Sequence, residues 1–169
     1  MADIAKAVQD LAKACDDAYA ANQSSCSNAA WDVIKAVHDP QQEFRQANQL
    51  VDWMTTNWSE VDLEDGYLAA NQGVVVVGGK KESGHGHVIV IYPGDKILNG
   101  GYQYYYAKEK KYLTMPRKTS YPRCLSTSIS TTPWPGAKSC GDKTVWDPWA
   151  KDEKFALVKF FTPKWPLEP

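Results

Sequence analysis

The apolar positions of the chain change period before its middle, and that change predicts the fold class. Ile4, Val8, Leu11, Cys15 and Tyr19 recur every three or four residues, the stripe of a helix that buries one face. A second helix is predicted to start at Ser24 or Ser25, both good N-caps. It carries Cys26, Ala29, Ala30, Val33, Ile34 and Val37 on one face. His38-Asp39-Pro40 closes it, because the residue before a proline avoids the helical region. Ala47, Leu50, Val51, Met54 and Trp58 are in phase for a third helix over roughly 44–58.

Beyond these helices the pattern becomes that of strands. "GVVVVGG" at 73–79 and "HVIVIYPG" at 87–94 are short β-branched runs bounded by glycine, which read as buried strands. The polar, glycine-containing "KKESGHG" between them predicts a hairpin. "YQYYYA" at 102–107 is a candidate third strand, 110–123 reads as a basic, proline-containing loop, and "CLSTSIS" at 124–130 has strand propensity. "TTPWPGAKSCGD" reads as loop, and "KFALVKFF" at 154–161 as the last strand. Helices followed by an antiparallel sheet define an α+β fold. The length of 169 residues sets one domain, 1–169, as the expectation.

Composition narrows the function classes. Hydrophobic residues make up 43% and charged residues 23%, the balance of a globular protein. Nineteen basic residues stand against twenty acidic ones without a Lys/Arg stripe, which argues against nucleic acid or a membrane surface as the main partner. No apolar run approaches the roughly 18 residues of a membrane span. The N-terminus lacks the basic and continuous apolar regions of a signal peptide. Synthesis in the cytoplasm is expected, with any action elsewhere requiring another export route. Cys15, Cys26, Cys124 and Cys140 form no CxxC pair, against a zinc ribbon. Cys124 and Cys140 bracket a loop and are a candidate disulfide in an oxidising compartment.

Cys15 lies within an apolar stripe and reads as a small core residue. Cys26 differs by standing at a helix start, where unpaired N–H groups and the helix dipole favour an anion such as a thiolate. The same groups can hold an oxyanion during acyl transfer. The competing reading is a structural cysteine. A thiolate nucleophile needs a base, and the chain has three histidines. His38 is about 18 Å away along the second helix, at 1.5 Å per residue. His85 lies in the glycine-flanked turn and is the more exposed candidate. His87 opens a strand and is the better candidate for a rigidly held imidazole, with Gly86 leaving room for another backbone or a substrate. A zinc set of His85, His87 and Cys26 lacks a further ligand at the right spacing. The tyrosines at 102, 104, 105 and 106 and the tryptophans at 134, 146, 149 and 165 read first as packing, with a groove wall for glycan or peptide as the alternative.

A cysteine at a helix start followed by Gly-His at a strand start has the papain-like order. "NQSSCSNAAWDVIKAV", "ANQLVDWMTTNW" and "AANQGVVVVGGKKESGHGHVIVIYPG" resemble the NlpC/CHAP-type peptidoglycan amidases. Within that superfamily they resemble most the first family of type VI secretion amidase effectors. The resemblance extends to "KSCGDKTVWDPWAKDEKFALVKFF", whereas about 95–123 looks like an insertion. It implies a papain-like fold with Cys26 as nucleophile and His87 as base, no cofactor and no metal. Ser25, Ser27 and Gly86 would stand near the substrate or oxyanion, and Ser126 or Cys124 would be a third, imidazole-orienting residue. The implied reaction is hydrolysis of the peptidoglycan stem peptide, typically at the γ-D-glutamyl–meso-diaminopimelate bond. The implied setting is delivery by a secretion apparatus into the periplasm of a target bacterium, with a cognate immunity protein protecting the producer. The superfamily often has Cys-Ser-Gly-aromatic after the nucleophile. Here Ser27 matches, and Asn28 and Ala29 depart, so the groove wall and fine specificity are expected to differ. A housekeeping or phage cell-wall amidase and a non-catalytic binding module with a structural Cys26 stay open at this point.

Overall fold

A computed structural model describes residues 3–129 and 133–167. The expected strand residue Ser130, the loop residues Thr131 and Thr132 and both extreme termini lie outside the described residues. The three predicted helices are present as α1 (Ile4–Ala21), α2 (Cys26–Val37) and α3 (Ala47–Asn57). Asp3 caps α1 by accepting from the Lys6 N–H, and Ser25 caps α2 by accepting from the Asn28 N–H. The third helix starts later than its apolar phase predicts. Gln46 is extended and its N–H donates to the Gln49 side chain, so Phe44 is left outside the helix, where it packs edge-on against Trp31.

The chain then forms β1 (Ser59–Val61) and α4 (Leu63–Ala70), followed by β2 (Val77–Lys80) and β3 (His87–Leu98). The hairpin β4 (Gln103–Tyr106) and β5 (Lys111–Thr114) precedes β6 (Ser120–Ser126), β7 (Ser139–Thr144), the short α5 (Asp152–Phe155) and β8 (Lys159–Thr162). Six strands make one antiparallel sheet in the order β1-β8-β2-β3-β6-β7, and β4 and β5 pair separately. The coarse α+β class is what the structure has.

Several strand boundaries differ from expectation. β5 and the start of β6 fall in the stretch read as loop, and β7 begins within the second such stretch. The expected strand over 154–161 is divided. Asp152 and Glu153 open a helical turn closed by Phe155 N–H to Lys151 O, and β-structure begins only at Lys159. β1 and α4 occupy a stretch with too few residues per element to show a period. Asp62 caps α4 by accepting from the Asp65 N–H.

The core lies between the first two helices and the middle of the sheet. Leu11, Cys15, Val33 and Ile34 from the helices meet Val77 and Val88 through Ile91 from the strands, all at most 1% exposed. Continuous burial of four successive strand residues means that both faces of β3 are covered. That burial holds β3 rigid up to its first residue, His87.

Candidate active site

Two loop-proximal helix starts and one strand start meet at a cleft of about 510 Å³. From α2 come Ser25, Cys26, Ser27 and Asn28, and from the entry to α3 come Phe44, Gln46 and Asn48. Opposite them stand His85, Gly86 and His87 at the head of β3, with Ser128 and Ile129 after β6. Among the described residues lining it there is no Asp, Glu, Lys or Arg.

Cys26 is the first residue of α2 and half-buried. The Ser25 hydroxyl accepts from the Asn28 N–H at 3.2 Å and from the Asn28 side-chain amide at 2.7 Å. The first intrahelical bond runs from Ala29 N–H to Ser25 O. The N–H groups of Cys26 and Ser27 therefore lie ahead of the helical ladder, as donors at the positive end of the helix dipole. The Ser27 hydroxyl is 3.9 Å from Cys26 Sγ. Asn28 lines the cleft, whereas Ala29 is buried in the core.

His87 is fixed from two sides. Its Nε2 is 3.0 Å from the Ser126 hydroxyl at the end of β6, and its ring meets Trp149 edge-on with centroids 5.4 Å apart. Ser126 is 1% exposed and Trp149 7%, so this side of the imidazole is dry. Burial pushes the His87 pKa down from the ordinary 6.5 to about 4, opposed by the Glu82 carboxylate. The ring stays neutral at physiological pH, the state in which one nitrogen can accept a proton.

Of the two candidates for an orienting residue, the structure brings Ser126 to His87. Cys124 pairs with Ile91, farther along β3. It is fully buried, and its thiol donates to the Thr144 carbonyl at 3.3 Å. The candidate Cys124–Cys140 disulfide is not formed, and all four cysteines are free. Cys140 stands opposite Leu125, one residue past Cys124, and successive strand residues point to opposite faces. Its thiol donates instead to Asp16 Oδ1 at 3.2 Å. His38 is at the far end of α2, edge-on to Trp58. His85 is exposed at the cleft rim.

Gly86 has a packing reason to be glycine. A Cβ there would lie 2.2 Å from the Asn48 side-chain oxygen and 2.7 Å from the Lys80 carbonyl. Asn48 in turn accepts from the Glu82 N–H at 3.2 Å and donates to the Glu82 carbonyl at 2.7 Å. This clamp ties the 81–86 turn to α3 and sets where His87 enters its strand. Asn48 and the wall formed by Phe44 and Gln46 were not foreseen from sequence. Trp149, expected to be packing, packs on the imidazole itself.

Among the described residues no three His, Cys, Asp or Glu side chains converge as a metal-binding group, and no helix is long and apolar enough to cross a membrane. No protein-family model matches the chain, and no curated protein matches it in sequence.

Proposed function

We propose that this protein is a cysteine amidase with a papain-like, NlpC/CHAP-type domain, and that it cleaves peptidoglycan stem peptides. The observation that carries this reading is the shared cleft. A half-buried thiol at a capped helix start and a neutral imidazole held by Ser126 and Trp149 line the same groove. Nucleophile, base and base-orienting group are the parts that nucleophilic amide hydrolysis requires.

In the proposed mechanism Ser126 accepts from Nε2–H of His87, leaving Nδ1 free to act as base. Nδ1 takes the thiol proton as Cys26 Sγ attacks the amide carbonyl carbon. The N–H groups of Cys26 and Ser27 receive the developing oxyanion. His87 then passes the proton to the leaving nitrogen, the C–N bond breaks, and a thioester remains on Cys26. Water attacks the thioester carbonyl with His87 as base, the C–S bond breaks, His87 returns that proton to Sγ, and the released carboxylic acid gives its own proton to solvent. The proposed steps use the Cys26 and His87 side chains, backbone N–H groups and water.

The substrate class rests on the resemblance of the Cys26 and His87 segments to the type VI amidase effectors. It proposes the γ-D-glutamyl–meso-diaminopimelate bond, periplasmic action in a target bacterium and a cognate immunity protein as partner. The cleft wall, uncharged among the described residues, suits a peptide held by backbone and amide groups, and Asn28 occupies the place where the superfamily pattern departs. The test is mass spectrometry of purified muropeptides after incubation with the protein. Products that gain one water and carry a new diaminopimelate amine are expected. Unchanged fragment masses with every stem peptide tried would overturn the reading.

A further inference from the structure

The hairpin β4–β5 has no part in the proposed chemistry, yet its base is heavily secured. Buried Asp147 accepts from the Gly100 N–H at 2.9 Å and the Tyr102 hydroxyl at 3.1 Å through one carboxylate oxygen. Its other oxygen accepts from the N–H and hydroxyl of Thr144. Buried Asn99 accepts from the N–H groups of Lys118 and Thr119, closing the neck of the insertion. Tyr102 and Tyr104 pack on Trp134 with centroids 5.8 and 5.1 Å away. An isolated two-stranded hairpin is marginal in water, so these bonds hold it in one orientation.

The opposite face of the same hairpin is left open. Tyr105 and Tyr112 are cross-strand partners, 55% and 70% exposed, with ring centroids 5.3 Å apart. Gln103 and Thr114, also partners and exposed, continue that face. The tip and neck carry Lys108, Lys110, Lys111, Arg117 and Lys118 against Glu109 alone, in a chain whose net charge is −1. All five cations are exposed. The cleft wall among the described residues is uncharged, whereas this arm presents five cations, of which Lys111 is paired with Glu109 at 3.2 Å. Trp134, which supports the arm, belongs to the segment that follows the cleft residues Ser128 and Ile129.

We propose that the outer face of the β4–β5 hairpin is a second binding surface, for the polymeric glycan of the cell wall. Sugar rings would stack on Tyr105 and Tyr112, with Gln103 and Thr114 bonding to their hydroxyl and acetamido groups. The lysines would meet carboxylates of neighbouring stem peptides, giving the charge complementarity that singles out this polymer. The inference rests on the cell-wall reading of the cleft. It assigns the arm to holding the polymer and the cleft to cutting a peptide.

The test uses the full chain carrying Cys26→Ala, co-sedimented with purified sacculi, with and without Tyr105→Ser plus Tyr112→Ser. An affinity loss of about tenfold or more is expected for two stacking anchors. In the active protein the same double substitution should slow digestion of intact sacculi while leaving turnover of a sugar-free stem peptide unchanged. Wild-type sedimentation by a double variant that melts at the wild-type temperature would overturn the proposal. So would a wild-type dimer that the substitutions dissociate, because a second copy would then be the occupant. If the tyrosine variant does not fold, Lys108→Gln plus Lys111→Gln decides: weaker, less salt-dependent sedimentation supports the proposal, and unchanged sedimentation overturns it. Tyrosine-dependent sedimentation by a protein that cleaves no stem peptide would uphold this surface and sink the amidase reading alone.

Discussion

Cys26 and the other three cysteines occupy contrasting regions of the molecule. Cys15 and Cys124 are fully buried where α1 meets β6 and β7, and burial pushes both thiols well above the ordinary range. Cys140, at the edge of that region, is pushed up to about 12 by burial and by the Asp16 carboxylate it faces. Each of these thiols is held protonated and therefore a poor nucleophile. Cys26 is accessible from a cleft, stands at a capped helix start and shares its groove with a neutral imidazole. Residue type is the same in both regions, so what sets Cys26 apart is solvent access, helix position and a neighbouring imidazole.

The largest predicted effect breaks the cleft region directly. His87→Ala should lower stem-peptide cleavage by about 10³-fold or more, the upper range of general acid–base contributions, with an unchanged circular dichroism spectrum. Cleavage within about tenfold of wild type would remove His87 from the mechanism. The comparison between thiols is sharpened by iodoacetamide at neutral pH. Peptide mapping should show Cys26 labelled at least about 100-fold faster than Cys15 or Cys124, as their burial and raised pKa values require. Similar rates for all three would erase the distinction and favour a binding module.

The next effect concerns Trp149. Truncation to alanine should destabilise the fold by about 3–5 kcal/mol and admit water to the imidazole. In a Cys26→Ala background the His87 ring proton should then titrate above its starting value of about 4, towards 6.5. Glu82, His85 and the residue at 26 are the titratable or mutated neighbours to be held constant. An unmoved midpoint would show that Trp149 packs without shielding the ring.

Protonation also links the site to stability. Because the folded pKa of His87 lies below its unfolded value, the unfolded chain binds the proton first as pH falls. The stability present above pH about 6.5 is therefore lost as pH drops towards 4 and levels off below it. Urea midpoints measured at pH 7 and pH 4.5 should fall more for wild type than for His87→Gln. Equal falls would contradict the dry environment. The smallest effect is that of Ser126→Ala. Loss of one neutral hydrogen bond is worth about 0.5–1.5 kcal/mol, so kcat should fall up to about tenfold with KM little changed.

Much of this arrangement was legible along the chain because burial leaves a period. The helix face holding Ala29, Ala30, Val33 and Ile34 and the run Val88–Ile91 could be read directly, and they place Cys26 and His87 at element starts. The positions of β5, β7 and α5 were not legible, because β5 and α5 are four mostly exposed residues each and β7, though partly buried, buries Ser139, Gly141 and Thr144 rather than apolar side chains, so none carries an amphipathic signal. Ser126 was one of two candidates, and only the register of β3 against β6 separates it from Cys124. Asn48 acts through Glu82, 34 positions away, and Trp149 through His87, 62 positions away, and both contacts are made only in the folded chain.

The central claim is that Cys26 becomes acylated during turnover. Its most direct test is acid-quenched mass spectrometry of the protein mixed with a muropeptide substrate. The account predicts a transient adduct on the peptide containing Cys26, with the mass of the acyl half of the substrate, and none in Cys26→Ala. Cleavage by Cys26→Ala at the wild-type rate, or an adduct on another residue, would contradict it.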